Sequence, residues 1–262
     1  MKNTWASSAR IAAAVWTEGE VMAGSQNVAR IVGVIGASGS GKSRWLKRTL
    51  IDGIRAGKVR RMLVWDPQDE YGDDFGRAFT DTRELVSALG QLGEGDDFRF
   101  VLRPGDDMAS YKWKFDMYCE VAYQIEGLCA VVEELADVTT PSWAPPFWSR
   151  LSRKGRHRAM TMFACSQRPT LMDKTFLGNT TMIHCSRLND ENDIRTMARY
   201  LGVPEQQVRD LKADDETDTF EWIERDMKTG FTRAGNLGDA KPQRPATQRN
   251  ERSLPEPAAD VT

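Results

Sequence analysis

Apolar residues along this chain follow two rhythms. Short, almost continuous apolar runs fall at 29–35, 61–66, 98–102, 127–132, 160–165 and 181–185, the length and texture of strands buried on both faces. Between them lie stretches with helical spacing. Residues 43–54 carry Trp45, Leu46, Leu50, Ile51 and Ile54 on one side; 82–92 carry Leu85, Val86 and Leu89; 112–125 carry Phe115, Tyr118, Val121 and Ala122. A further helix is predicted over 191–201, stopped by Gly202, and a late hairpin over 220–223 and 230–233. Strand–helix alternation sustained from 29 to 235 predicts an α/β fold, a mostly parallel sheet with helices on both faces. Three parts follow: an N-terminal segment 1–28 with a short helix at its apolar run, one domain over 29–238, and a disordered tail 239–262 without periodicity.

Composition narrows the classes. The 262 residues suffice for one sizeable core. With 36 Lys+Arg against 38 Asp+Glu, the chain is not a uniformly basic nucleic-acid binder, so any such surface is local or built by assembly. Cys119, Cys129, Cys165 and Cys185 are widely spaced, which fits buried free thiols better than a disulfide framework or a zinc site. No apolar stretch approaches a membrane span, so no integral membrane segment is expected, and the run at 11–16 is too short for a signal peptide.

The candidate chemistry begins where the first strand meets the first helix. Gly36-Ala37-Ser38-Gly39-Ser40-Gly41-Lys42-Ser43 reads G-x-x-x-x-G-K-S, the phosphate-cradling P-loop, and predicts a bound nucleoside triphosphate, ATP. Its glycines let backbone N–H groups converge on phosphate, and the helix N-terminus adds favourable partial charge. Lys42 is expected on the β- and γ-phosphates and Ser43 on Mg²⁺, with Arg44 next in the binding set. The apolar run 128–132 ends in Glu133-Glu134. The first acid is expected to hold the Mg²⁺ shell and the second to polarise the attacking water. Glu133 stands where Asp is usual; its extra methylene shifts the metal contact or routes it through water. Gln167, at the end of the fifth strand, is expected to sense the γ-phosphate, since ligands of open α/β sheets sit beyond the strands' carboxyl ends. Arg168 and Asn179 are weaker candidates, and His184 reads as a satisfied core histidine. Asp66 and Glu70 either support the nucleotide site or simply form a turn.

Taken together, the P-loop, Trp65-Asp66-Pro67-Gln68-Asp69-Glu70-Tyr71, apolar-Glu133-Glu134, Gly155-Arg156-His157-Arg158 and Ser166-Gln167-Arg168-Pro169 resemble the FtsK–HerA superfamily of DNA-pumping ATPases. The similarity spans about residues 31–201, and the Asp-Pro-x-x-Glu-Tyr and Gln-Arg-Pro pieces are its more specific parts. The resemblance implies a RecA-like core of the additional-strand, catalytic-glutamate type. It implies a homo-oligomeric ring, hexamer or pentamer, with ATP at subunit interfaces and double-stranded DNA in the channel. It also implies an arginine finger acting on the neighbour's site, Arg156 first and Arg153 second; a solvated basic face or contacts to DNA phosphates are the competing roles for the cluster 150–158. The loop 137–148, with Trp143, Phe147 and Trp148, is expected to line the channel, meet a neighbour or cover the sheet edge. The bare motor core favours a Mg²⁺-dependent viral genome-packaging motor working at a capsid vertex, in the host cytoplasm or on the virion. A zonula-occludens-toxin-like morphogenesis or conjugation ATPase and a P-loop small-molecule kinase are the alternatives.

Overall fold

The computed structural model describes residues 15–16, 30–93 and 95–238. The predicted N-terminal segment and the tail 239–262 otherwise lie outside the described residues. The strands are β1 (Arg30–Ile35), β2 (Arg61–Trp65), β3 (Arg77–Phe79), β4 (Phe98–Leu102), β5 (Cys129–Val132), β6 (Thr161–Ser166), β7 (Met182–Ser186), β8 (Ala213–Asp214), β9 (Thr219–Asp226) and β10 (Thr232–Asn236). The helices are α1 (Lys42–Arg55), α2 (Thr82–Gly90), α3 (Met108–Gln124), α4 (Leu135–Val138), α5 (Pro146–Lys154), α6 (Lys174–Asn179), α7 (Glu191–Leu201) and α8 (Glu205–Arg209).

All strands join one sheet in the order β10-β9-β7-β1-β6-β5-β2-β4-β3, with β8 on β9. The strands from β7 to β3 pair in parallel; β9 adds an antiparallel edge through β7, β10 and β8. The continuous apolar runs are explained by two cores. Successive strand residues point to opposite faces. Val32, Val34, Met62, Val64, Val131 and Phe163 enter one core, while Ile31, Leu63, Trp65, Ala130, Val132 and Met162 enter the other. Helix α1 covers the first face through Trp45, Leu46 and Leu50, joined by Val15 and Trp16. Trp16 donates its indole N–H to the Thr49 carbonyl (2.8 Å), and a Cβ on Gly53 would lie 2.5 Å from its ring, so glycine makes its seat. The second face takes α2 through α8, around an aromatic cluster of Trp65, Tyr111, Phe115 and Tyr118.

Several elements depart from the sequence expectation. The segment 137–148 is not one loop: Pro145 and Pro146 start α5, as proline does at a first helical turn. Trp148 is therefore not a channel or interface residue. It is fully buried and donates to Asp173 (3.1 Å). Trp143 stays exposed at 47%. The three-residue strand β3 and the short helices α4 and α6 are too brief to leave a periodic signal. Helix α3 begins at Met108, ahead of residue 112, because Asp107 caps it by accepting the Ala109 N–H. The late hairpin is longer than its apolar residues announced, at Thr219–Asp226 and Thr232–Asn236.

Candidate active site

The P-loop spans the turn from β1 into α1, at the carboxyl edge of the sheet. Gly39 (φ 67°) and Gly41 (φ 86°) take left-handed backbone, which a side chain would strain. A Cβ at Gly36 would lie 2.4 Å from Ser40 Oγ, and one at Gly41 would lie 2.9 Å from the Phe220 ring. The loop thus needs its glycines for shape and for close approach. Strand β6 lies between β1 and β5, so the glutamate-bearing strand is separated from the P-loop strand by one additional strand.

Glu133 and Glu134 follow β5 directly. In a regular strand their side chains would diverge to opposite faces. Glu134 instead takes left-handed backbone (φ 49°, ψ 56°), a conformation uncommon for glutamate and costly enough to signal a constraint. The turn brings both carboxylates onto one cation: Lys42 Nζ lies 3.3 Å from Glu133 Oε2 and 3.4 Å from Glu134 Oε1. All three groups are buried, between 4% and 7% exposed. Burial opposes the charge on Lys42, but the two carboxylates outweigh it and hold the ammonium above its ordinary value. The adjacent Cys165 thiol is pushed up by burial and stays neutral, so it supplies no charge there.

Gln167, just past β6, donates to the same Glu134 oxygen (2.9 Å). The expected quartet Lys42, Glu133, Glu134 and Gln167 is thus brought together. With Ala37, Ser38, Gly39, Ser40, Gly41 and Ser43 these residues, except Glu133, line one cleft, which also takes in Arg44, Gln68 and Glu70. Arg44 lines the rim but is engaged elsewhere, ion-paired with Asp218 (2.5 Å) and stacked on Phe220 (5.1 Å). Arg168 turns away from the cleft to α7, donating to Asp193 (2.6 Å), while Thr170 bonds the other Asp193 oxygen. His184 is a core residue: it is fully buried between Glu224 (2.9 Å) and Ser186 (3.2 Å) and stacks on Trp45. Burial lowers its pKa despite the opposing pull of Glu224. Asn179 closes α6 at its C-terminus.

The basic cluster sits at the other end. Gly155–Arg158 form a 3-10 turn that leads into the start of β6, and the Arg158 carbonyl accepts from Gly127, ahead of β5. Six residues of β6 separate this edge from Gln167, roughly 20 Å at strand rise. Arg150 and Arg158 stack on Tyr123 (4.4 and 5.4 Å). Arg153 is exposed and donates to the Ser149 carbonyl (3.0 Å). The Arg156 side chain lies outside the described residues.

The Asp-Pro-x-x-Glu-Tyr segment announced Asp66 and Glu70 as candidates but gave no role to its tyrosine. Tyr71 is fully buried and its hydroxyl donates to Glu133 Oε1 (2.7 Å). Burial first, then the Glu133 charge, push its phenol well above the ordinary value, so it remains a donor. Asp66 accepts the backbone N–H groups of Glu70 (2.9 Å) and Tyr71 (3.0 Å), and Arg103 holds the Tyr71 carbonyl (2.8 Å) and Asp69 (2.6 Å). Asp66 therefore shapes the turn behind the site, and Glu70 pairs with Lys47 (3.2 Å) at the cleft.

Residues 23–103 match the family model described as Helicase HerA, central domain. Protein P9 of Pseudoalteromonas phage PM2 is 30% identical over 183 residues, covering 68% of this chain and 78% of the phage protein. The genome packaging NTPase B204 of Sulfolobus turreted icosahedral virus 2, solved with AMPPCP, superposes with a TM-score of 0.59 at 16% identity, covering 79% of this chain and 96% of B204. VirB4 of Thermoanaerobacter pseudethanolicus superposes with a TM-score of 0.54 at 10% identity, covering 80% of this chain and 89% of VirB4. The two structures share the fold. The HerA model covers the P-loop half of the core and the phage relative extends the kinship across most of both chains, so this chain belongs to the FtsK–HerA superfamily of P-loop ATPases.

Proposed function

We propose that this ATPase is a viral genome-packaging motor that moves double-stranded DNA at the expense of Mg²⁺–ATP. The observation that carries the hydrolytic part is the convergence of Lys42, Glu133, Glu134 and Gln167 on one buried point beside the P-loop. Lys42 exchanges its two carboxylate partners for β- and γ-phosphate oxygens. Glu134, released from Lys42, takes the proton of the attacking water as that water's oxygen bonds to the γ-phosphorus and the bond to the ADP oxygen breaks. Gln167 holds Glu134 in position and is placed to read the γ-phosphate.

The oxygen donors fit Mg²⁺: one hydroxyl, Ser43, and one carboxylate, Glu133, beside a phosphate cradle. Mg²⁺ is commonly held in this way, by few protein ligands together with substrate phosphates. Among the described residues no cluster of three or more His, Cys, Asp or Glu could hold a metal alone, and such a site needs none. Bound there, Mg²⁺ would neutralise charge developing on the transferring phosphoryl group.

The DNA substrate and the capsid partner are supported by the shared fold with a structure named as a genome packaging NTPase. A ring is supported by the placement of the basic cluster. The Gly155–Arg158 turn lies roughly 20 Å along β6 from its own Gln167, too far to serve that cleft, which supports a role on a neighbour's ATP. Arg156 and Arg153 are the proposed fingers, and Arg150 and Arg158 flank them. No helix among the described residues is long and apolar enough to cross a membrane. The test is ATP turnover with and without long double-stranded DNA at two salt concentrations, with Glu134→Gln as the blank. DNA stimulation that weakens with salt is expected, because phosphate contacts release counterions. Turnover indifferent to DNA, in the presence of its capsid, would overturn the motor reading.

A further inference from the structure

Glu133 differs from the usual aspartate by one methylene, and that methylene adds a rotatable bond to a group that has to meet a metal in one geometry. A freely rotating carboxylate would lose that freedom each time it bound. The structure removes the freedom beforehand. Oε1 of Glu133 accepts the Tyr71 hydroxyl at 2.7 Å, while Oε2 faces Lys42 at 3.3 Å. Tyr71 itself has no slack. Its backbone N–H is bound by Asp66 and its carbonyl by Arg103, and its ring packs edge-on against Phe75 (5.0 Å) with Lys47 above it (5.2 Å).

We propose that Tyr71 is a positioning residue for the metal-binding acid, its hydroxyl pinning one oxygen of Glu133 so that the other is presented to the Mg²⁺ shell of bound ATP. This rests on the reading of Glu133 as the Mg²⁺-side acid. It also accounts for the glutamate: the longer side chain spans from the end of β5 to a tyrosine held on the β2 turn. Tyr71 is not among the residues that line the nucleotide cleft, so it acts through Glu133.

The test measures binding. The affinity of a fluorescent ATP analogue is measured in EDTA and in Mg²⁺, and the ratio gives the metal-supported gain. Mn²⁺ in place of Mg²⁺ lets electron paramagnetic resonance report the same gain directly. Tyr71→Phe is expected to bind the metal-free nucleotide as the parent does and to lose about tenfold of the metal-supported gain, the scale of one hydrogen bond to a charged group. Glu133→Gln should lose the gain more completely. Glu133→Asp, too short to reach the hydroxyl, should lose a similar share to Tyr71→Phe, and combining the two should cost little more than either alone. A Tyr71→Phe protein that keeps the full gain while Glu133→Gln loses it would overturn the role of Tyr71 and leave that of Glu133 standing. A lowered melting temperature with an unchanged gain would do the same. Retention of the gain in both variants would overturn the reading of Glu133 and this inference with it. Should Tyr71→Phe not fold, a full gain in Glu133→Asp overturns the proposal by itself.

Discussion

At the scale of single residues, the site turns on a backbone angle. Glu134 carries a left-handed φ, and without it the two glutamates would point apart. Glu134→Gln keeps the shape and the hydrogen bond to Gln167 but removes the proposed base. Nucleotide affinity should stay within a few-fold of the parent, and turnover should fall by about 10²–10⁴, the range for a lost general base, in a phosphate-release assay. Lys42→Met removes the cation from between two buried carboxylates. Breaking a buried ion pair from one side costs about 3–5 kcal/mol. The variant should melt at a clearly lower temperature than the parent and gain no stability from added ATP, both readable by thermal shift. The residues of this quartet were legible in the sequence, because the P-loop and a strand ending in acids are local patterns. The partners of Arg44 were not. Asp218 and Phe220 reach it across the fold, and nothing near Arg44 in the chain announces them.

At the scale of elements, strands buried on both faces announced themselves and short or irregular pieces did not. The six parallel strands predicted from apolar runs are all present, whereas β3, α4 and α6 fall below the length at which a period is visible. Helix α5 was hidden by its own start signal, since two adjacent prolines read as a loop until they fall at a helix N-terminus. Its Trp148 is a core anchor between Phe115 and Phe176. Trp148→Ala should destabilise the fold by about 3–5 kcal/mol in urea unfolding, and Trp143→Ala, at an exposed position, by far less. The antiparallel edge carries a pH signature. His184 is buried with its pKa lowered from 6.5, so below that value the unfolded chain takes a proton that the folded chain refuses. This share of stability is complete above pH 6.5 and is lost as pH falls toward the folded value. Urea midpoints at pH 7.5 and 5.5 should therefore differ more in the parent than in His184→Gln, even though the variant is weaker at both.

At the scale of the whole molecule, the nucleotide cleft and the Gly155–Arg158 turn occupy opposite ends of the same sheet, so the proposed finger role can be tested by mixing variants. A subunit carrying Arg156→Ala keeps an intact cleft; one carrying Glu134→Gln keeps an intact basic cluster. Neither should hydrolyse ATP rapidly by itself. Mixed in one assembly, the two should recover a measurable part of the parental rate, and the recovery should peak at intermediate mixing ratios. No recovery at any ratio would place the cluster's role away from the neighbour's ATP.

Strand β6 has a consequence beyond its place in the sheet order. It is hydrogen-bonded to β1 along all six of its residues and to β5 along Thr161–Ala164, so most of it is held from both sides. One end leads into Gln167, against Glu134; the other follows directly from the turn that bears Arg156 and Arg158. Were those arginines to act on a neighbouring subunit, as proposed above, β6 would be the strand that joins them to the Gln167 of their own cleft.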